Sequence, residues 1–459
     1  MASTDNLSYD SRNEFGMIEA ACGGGPACAH LASGNMNTRE DPPQHRRAVD
    51  ARMNVESRRK PPRMQPLRIS AFTLCSAIGR GRAVSLAALR TRRGGLTRND
   101  FGAVPVETWI GRVPGLEDAP LPAALTNWES RNNRLAWMGL MQDGFLDAVA
   151  RARHRHGSSR VAVVLGTSTS SIDETEQAYR SLTPDGRFPA SLRRPSVHTP
   201  HSTGEFVQKA LALEGVAVTV SAACSSSAKA FAQAERLIRV GVADAAVVGG
   251  ADTLCGSVLY GFNGLELLSP EPCRPFDPER RGINLGEAAG FALLEREAPA
   301  GAWLLGYGES SDAFHMSSPH PDGLGARLAV QAALDRGGVD AARIDYINLH
   351  GTASRKNDDI EARIVAEMFP SRTLASSTKG WTAHTLGAAG IIEALITLMA
   401  LEAGHAPGTL NAAALDETCC GPQVRLESVD ADLRLALSLS FGFGGSNCAL
   451  LFGREDSRP

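Results

Sequence analysis

Long apolar runs are missing from this chain of 459 residues: none approaches the roughly 20 residues that a membrane-spanning helix needs. The opening stretch, Met1 to Glu14, is polar, so no signal peptide is expected. An excess of one charge is missing as well. The 47 Lys and Arg residues nearly balance 50 Asp and Glu, leaving a net charge of −3, and nothing global argues for a nucleic acid or a membrane surface as partner. Cysteine occurs nine times, at 22, 28, 75, 224, 255, 273, 419, 420 and 448, but no Cys-x-x-Cys pair is formed. An odd, scattered set argues against a disulfide framework and fits a reducing, cytoplasmic location. The adjacent Cys419 and Cys420 are expected as thiols of a surface loop. His154 and His156, in Arg-Ala-Arg-His-Arg-His, have no carboxylate or cysteine beside them; a solvated helix end is expected there, and no metal site.

Residues 1–65 are short of apolar periodicity. They carry Gly23-Gly-Gly-Pro26, Asp41-Pro-Pro43 and Arg58-Arg-Lys-Pro-Pro-Arg63 instead, a composition that cannot bury enough surface to offset its ordering entropy. A disordered extension is expected, or a working start near Met64; as a functional alternative, its basic end suits a docking arm for an acidic partner.

The remainder has an ordinary globular composition, within an overall 43% hydrophobic and 21% charged. The length suffices for two to three domains or one large two-lobed fold. Leu67 to Cys75 alternates as a strand, while Arg160 to Leu165 and Ala245 to Asp252 read as buried strands of a covered sheet. An amphipathic helix is predicted from Arg131 to about Arg153. This alternation of strands and helices makes the fold class α/β. There is also an internal echo. A strand, a turn of tiny residues and an Ala-rich helix around residue 224 recur in Leu374 to Thr378, the turn to His384, and Gly387 to Ala403. The starts Leu67-Arg-Ile-Ser-Ala-Phe72 and Trp303-Leu-Leu-Gly-Tyr-Gly308 correspond too. Two halves are expected, 66–299 and 300–459.

Cys224 stands in Val218-Thr-Val-Ser-Ala-Ala-Cys-Ser-Ser-Ser-Ala-Lys-Ala-Phe231. A β-branched run, tiny residues and then apolar positions Phe231, Ala234, Leu237 and Ile238 at helical spacing place it on a tight strand-to-helix turn. Unpaired N–H groups and the positive end of the macrodipole favour thiolate there, and the small flanks admit a carbonyl, as in a nucleophile elbow. By itself such a cysteine reads equally as a small buried hydrophobe.

Three distant segments decide between these readings. They are Asn348-Leu-His-Gly-Thr-Ala-Ser-Arg-Lys-Asn-Asp358, Ser376-Ser-Thr-Lys-Gly-Trp-Thr-Ala-His-Thr-Leu-Gly-Ala-Ala-Gly390 and Ser440-Phe-Gly-Phe-Gly-Gly-Ser-Asn447. Together with the Cys224 segment, and in this order, they resemble the four signature stretches of the β-ketoacyl synthases, the decarboxylating condensing enzymes of fatty-acid and polyketide assembly. The resemblance runs from about Leu67 to Phe452. It implies the thiolase fold, a duplicated five-layer α-β-α-β-α arrangement with the active site where the halves meet. It further implies that Cys224 holds an acyl chain, that His350 and His384 stabilise the enolate left when a malonyl thioester loses carbon dioxide, and that Lys379 is buried against Glu393. The second oxyanion hole falls to the backbone N–H groups of Cys224 and Phe443, beside Phe441, on a glycine-rich gating loop. Thr352 and Ser354 match hydroxyls that meet a pantetheine arm. Arg131 and Arg134 are candidates for the face that meets an acyl carrier protein, with a merely solvated helix face as the alternative. No cofactor is expected beyond the phosphopantetheine carried by that protein, and the expected assembly is a homodimer or a heterodimer with a chain-length-factor-like homologue.

Two positions depart from the family pattern: Thr382-Ala383-His384 replaces Thr-Gly-His, and His-Gly-Thr-Ala-Ser replaces His-Gly-Thr-x-Thr. Rival readings are a non-catalytic chain-length-factor-like subunit, disfavoured because Cys224 is present, and a thiolase-fold acyltransferase using coenzyme A. Ser171-Ile-Asp-Glu-Thr-Glu-Gln-Ala-Tyr179 and Leu259-Tyr-Gly-Phe-Asn-Gly-Leu-Glu-Leu-Leu268 resemble the synthases of bacterial aryl-polyene clusters; housekeeping fatty-acid elongation is the alternative pathway. Acyl chain length and saturation have no local signature.

Overall fold

The computed structural model describes residues 60–102, 104–419 and 421–457; the expected extension lies almost wholly outside them. Met64, placed in that extension by composition, is instead buried and donates its N–H to the carbonyl of Arg336 at 2.8 Å.

Ten strands form one continuous sheet path, and their order repeats. In the first half the order is Leu67–Ser76, Ala288–Glu295, Ala245–Asp252, Val161–Gly166, Ala217–Val220. The second half runs Ala302–Ser311, Ser446–Gly453, Leu435–Gly442, Tyr346–Asn348, Leu374–Ser376. In both halves the last three strands are parallel and the first two pairings antiparallel. The halves join where the two first strands pair, Leu67 opposite Leu304 and Ile69 opposite Ala302.

Side-chain alternation along these strands builds the layers. Val161, Val163 and Leu165 pack outward against helices Arg131–Leu140, Phe145–His156 and Ser202–Ala210. Ala162 and Val164 face inward, onto Phe231 and Ile391. In the second half Leu435, Leu437 and Leu439 pack outward against helices Leu324–Gly337 and Arg355–Met368, while Ala436 faces inward. The inner layer consists of two helices, Ser226–Arg239 and Ala389–Ala403. Helices, sheet, helices, sheet, helices: these are the five layers of the thiolase fold.

The inner helices meet through small residues. A Cβ on Gly390 would lie 2.6 Å from the backbone nitrogen of Ala228. Ser227 ties them together, its Oγ donating to the Gly387 carbonyl (2.6 Å) and accepting from the Ile391 N–H (2.8 Å). Contrary to the expectation that no apolar run approaches membrane-spanning length, residues 386–403 form the one helical stretch among the described residues that is long and apolar enough, but 89% of it is buried inside the fold. Its apolar character on all sides belongs to the middle layer.

Three expectations need correction. The helix predicted over Arg131 to Arg153 is two helices, broken where Asp143 (φ 56°) and Gly144 (φ 66°) turn left-handed. Asp143 holds that break by accepting from the Arg82 N–H and the Thr73 hydroxyl, both at 3.0 Å. Cys419 is buried rather than a surface thiol, its Sγ 3.6 Å from Asp359; Cys420 lies outside the described residues. His156 ends its helix as expected but is half-buried, with Nε2 3.1 Å from the buried carboxylate of Glu295, a partner 139 residues away.

Candidate active site

The turn after strand Ala217–Val220 is built by hydroxyls. Ser226 Oγ accepts the Ala222 N–H at 2.8 Å and donates to the Ala223 carbonyl at 2.5 Å, while Ser225 Oγ donates to the Ala222 carbonyl. Ala223 takes φ 50° to complete the turn. Cys224 is left two residues before the helix Ser226–Arg239, buried, with its side chain lining a cavity of about 400 Å³. The matching turn of the second half delivers Lys379 and His384, and the loop after strand Tyr346–Asn348 delivers His350. Ligand-type atoms of Cys224, His350 and His384 all lie within 4.8 Å of one another.

Both imidazoles are held neutral and oriented. Burial and the nearby Lys379 ammonium push His350 well below its ordinary value, and the same causes bring His384 down to about 3. Nδ1 of His384 accepts the Leu386 N–H at 3.0 Å. The Lys379 Nζ lies 3.3 Å from Nδ1 of His350 and also donates to its carbonyl. With Nδ1 engaged as acceptor, hydrogen-bond bookkeeping assigns the proton of each ring to Nε2. Two neutral N–H donors can therefore serve an oxygen that gains charge.

Lys379 is buried and paired with Glu393, the partner expected fourteen positions on. Burial raises Glu393 to about 7 despite that ammonium. At Cys224, burial outweighs everything else. The thiol is pushed up to about 11, with Lys379 and the backbone N–H groups of Phe443 and Cys224 pulling the other way. Thiolate in the free protein, expected from the helix N-terminus, is thus overridden by desolvation. The Phe443 and Cys224 N–H groups thus act in favour of negative charge at this end of the cavity, against the effect of burial.

Phe441 stacks edge-on to His350, ring centres 5.8 Å apart. Phe443 lies against Phe262 at 5.6 Å, followed by Gly444 and Gly445, both at φ 75°. Thr352 and Ser354 line the same cavity, their hydroxyls 2.9 Å apart. Arg131 and Arg134 do not line it. Arg131 is clamped by the buried Glu287 at 2.7 and 2.8 Å and by Glu117, Arg134 by Glu129, and both face a separate charged cavity. Arg131 is thereby mostly buried, whereas Arg134 keeps about a third of its side chain exposed.

Little in the sequence marks the residues that hold this site in place. Glu361 accepts the His350 and Gly351 N–H groups at 2.7 Å each, and Asp358 accepts the Thr352 N–H at 3.0 Å. Burial raises these carboxyls, to about 8 and about 6. Asp252 accepts from the hydroxyls of Thr167, Ser168 and Thr169, from the N–H groups of Ser168 and Thr169, and from the N–H of Ala388, pinning one half to the other. The only sequence signal available is the i, i+3 spacing that puts Asp358 and Glu361 on one helix face.

Comparison with known proteins agrees with this geometry. Residues 134–300 match the N-terminal domain of the β-ketoacyl synthases and residues 301–413 their C-terminal domain. The chain is 35% identical over 307 residues to nodulation protein E of Rhizobium meliloti, covering 64% of this chain and 75% of that protein. It is 35% identical over 324 residues to 3-oxoacyl-[acyl-carrier-protein] synthase 2 of Vibrio cholerae, covering 66% and 77%. Among solved structures, a ketosynthase (ApeO) in complex with its chain length factor (ApeC) from Xenorhabdus doucetiae is similar, with 38% identity, a TM-score of 0.78 and coverage of 85% of this chain and 98% of that one. The chain belongs to the β-ketoacyl synthase family, acyltransferases of the thiolase fold.

Proposed function

We propose that this synthase condenses an acyl chain held on Cys224 with malonyl-acyl carrier protein. The observation that carries the reading is the convergence of the Cys224 sulfur with two neutral imidazoles whose Nε2–H groups are free to donate. In the first half-reaction the sulfur attacks an acyl thioester; the bond from carbonyl to carrier sulfur breaks, and the thiol proton leaves with the carrier. In the second, malonyl thioester loses carbon dioxide, and the enolate oxygen takes hydrogen bonds from His350 and His384. The enolate carbon attacks the Cys224 thioester, the N–H groups of Cys224 and Phe443 hold the tetrahedral oxyanion, and cleavage of the C–S bond returns the cysteine as thiolate, which takes a proton from solvent. Lys379 and Glu393 position the histidines and keep them uncharged; Thr352 and Ser354 receive the pantetheine amides. No step calls for a cofactor.

The partner readings rest on separate features. Strand Ala217–Val220 ends the sheet, half-buried along its whole length; we assign this edge to a second subunit, either a copy of this chain or a chain-length-factor-like homologue. Helices Ile172–Arg180 and Gly256–Gly264 lie together, Glu176 accepting the Ser257 N–H at 2.7 Å. They contain most of the residues behind the aryl-polyene reading, which we retain for the product, in the cytoplasm.

The test is condensation with radiolabelled malonyl group on carrier protein or on coenzyme A. Carbon dioxide release and product from the carrier-bound donor, lost in Cys224→Ala, supports the proposal. Turnover with coenzyme A alone would move the chain to the rival acyltransferase class, and activity only in a partner subunit would make it a non-catalytic shaper.

A further inference from the structure

Two cations stand where a helix disfavours them. Arg355 and Lys356 open the helix Arg355–Met368, at the positive end of its macrodipole. Both line the cavity that holds Cys224 and the two histidines. Internal contacts leave them largely free. Arg355 is 64% exposed, donates to the Pro278 carbonyl at 3.2 Å and lies 3.8 Å from Asp416. That carboxylate is already held by the buried Arg280 at 2.6 Å. Lys356 is exposed, with no ion pair among the described residues. A placement that costs helix stability, with only a carbonyl and a shared carboxylate for Arg355 and no ion pair for Lys356 among the described residues, leaves positive charge for an external anion.

The loop leading to these cations runs from the reacting atoms to solvent. His350 and Thr352 are buried, Ser354 is half-buried, and Arg355 and Lys356 are exposed. A thioester on a phosphopantetheine arm presents neutral amides along its length and one phosphodiester at its outer end. With its thioester at Cys224 and its amides along Thr352 and Ser354, that phosphodiester falls at the mouth. We propose that Arg355 and Lys356 form an anion subsite that holds the phosphodiester of the incoming arm. The guanidinium supplies a fork of donors matched to two phosphate oxygens, and the ammonium supplies a point charge beside it. The assignment rests on the carrier-dependent reading above and adds to it a determinant for phosphorylated over unphosphorylated thioesters.

The experiment compares phosphopantetheine with pantetheine, binding measured by calorimetry and condensation by kcat/KM of their malonyl thioesters. The wild-type chain is expected to prefer the phosphorylated form by about tenfold or more in both readouts. The preference falls to within about twofold in Arg355→Ala/Lys356→Ala, weakens at high salt, and survives in Arg355→Lys/Lys356→Arg. A wild-type ratio near one, or a ratio unchanged in the double alanine variant, overturns the subsite. If carrier-dependent turnover drops in that variant while the small-molecule ratio stays, the pair serves the carrier's protein surface, and the phosphate assignment is equally overturned. Preferential binding of phosphopantetheine without condensation of either thioester contradicts the proposed function and leaves the subsite standing.

Discussion

Lys379 reaches His350 twice, with its ammonium 3.3 Å from Nδ1 and in contact with the carbonyl of the same residue. One side chain thereby sets the ring tautomer, keeps the ring neutral and anchors its loop. The carboxylate of Glu393, one turn into the middle-layer helix, makes that burial of charge possible.

This pair is strongly coupled. Lys379→Met leaves Glu393 buried without a counter-charge and is expected to cost about 3–5 kcal/mol of stability, whereas Lys379→Met/Glu393→Leu recovers a large part of it. Chemical denaturation of the single and double variants checks this. A single variant within about 1 kcal/mol of wild type contradicts a charged, dry pair.

The thiol pushed up to about 11 has a kinetic signature. Below that value the thiolate fraction rises about tenfold per pH unit, so alkylation of Cys224 by iodoacetamide in the free protein accelerates steadily from pH 6 to 9. A rate that levels off near pH 7 would instead show the thiolate stabilised by the helix start, as the sequence alone led us to expect. Lys379→Met removes the cation that opposes burial and slows alkylation at every pH in that range.

Ala383 holds φ 60° and ψ −176°, a region that ordinarily belongs to glycine. Its N–H is tied to the Lys379 carbonyl at 2.8 Å, and the next N–H, of His384, to the Asn284 carbonyl at 2.9 Å, so the backbone cannot relax. Ala383→Gly restores the family residue and is expected to stabilise the chain by about 1 kcal/mol after glycine's own entropic cost. Denaturation midpoints test it; a destabilised variant would mean that the Ala383 methyl packing against its surroundings outweighs the strain.

The division into two similar halves was legible in the repeated strand, turn and helix, and the meeting of Cys224 with His350 and His384 in short motifs that resemble a known family in their order. Depth was not. The burial that raises the Cys224 thiol, hides Cys419 and deprives Arg131 of a solvated face comes from segments far apart in the chain: Glu287 lies 156 residues from Arg131. The helix break at Gly144 was masked by continuous amphipathic spacing, because a left-handed turn stabilised by Asp143 leaves the periodicity on either side intact. Glu361 and Asp252 act on backbone N–H groups, for which no side-chain pattern exists to be read.

The most direct test of the account is intact-mass spectrometry of the chain after incubation with an acyl-carrier protein, followed by peptide mapping. The account predicts one acyl increment, located on Cys224, absent from Cys224→Ala and discharged when malonyl-carrier protein is added. An acyl group on any other residue, or condensation that proceeds unchanged in Cys224→Ala, would contradict it.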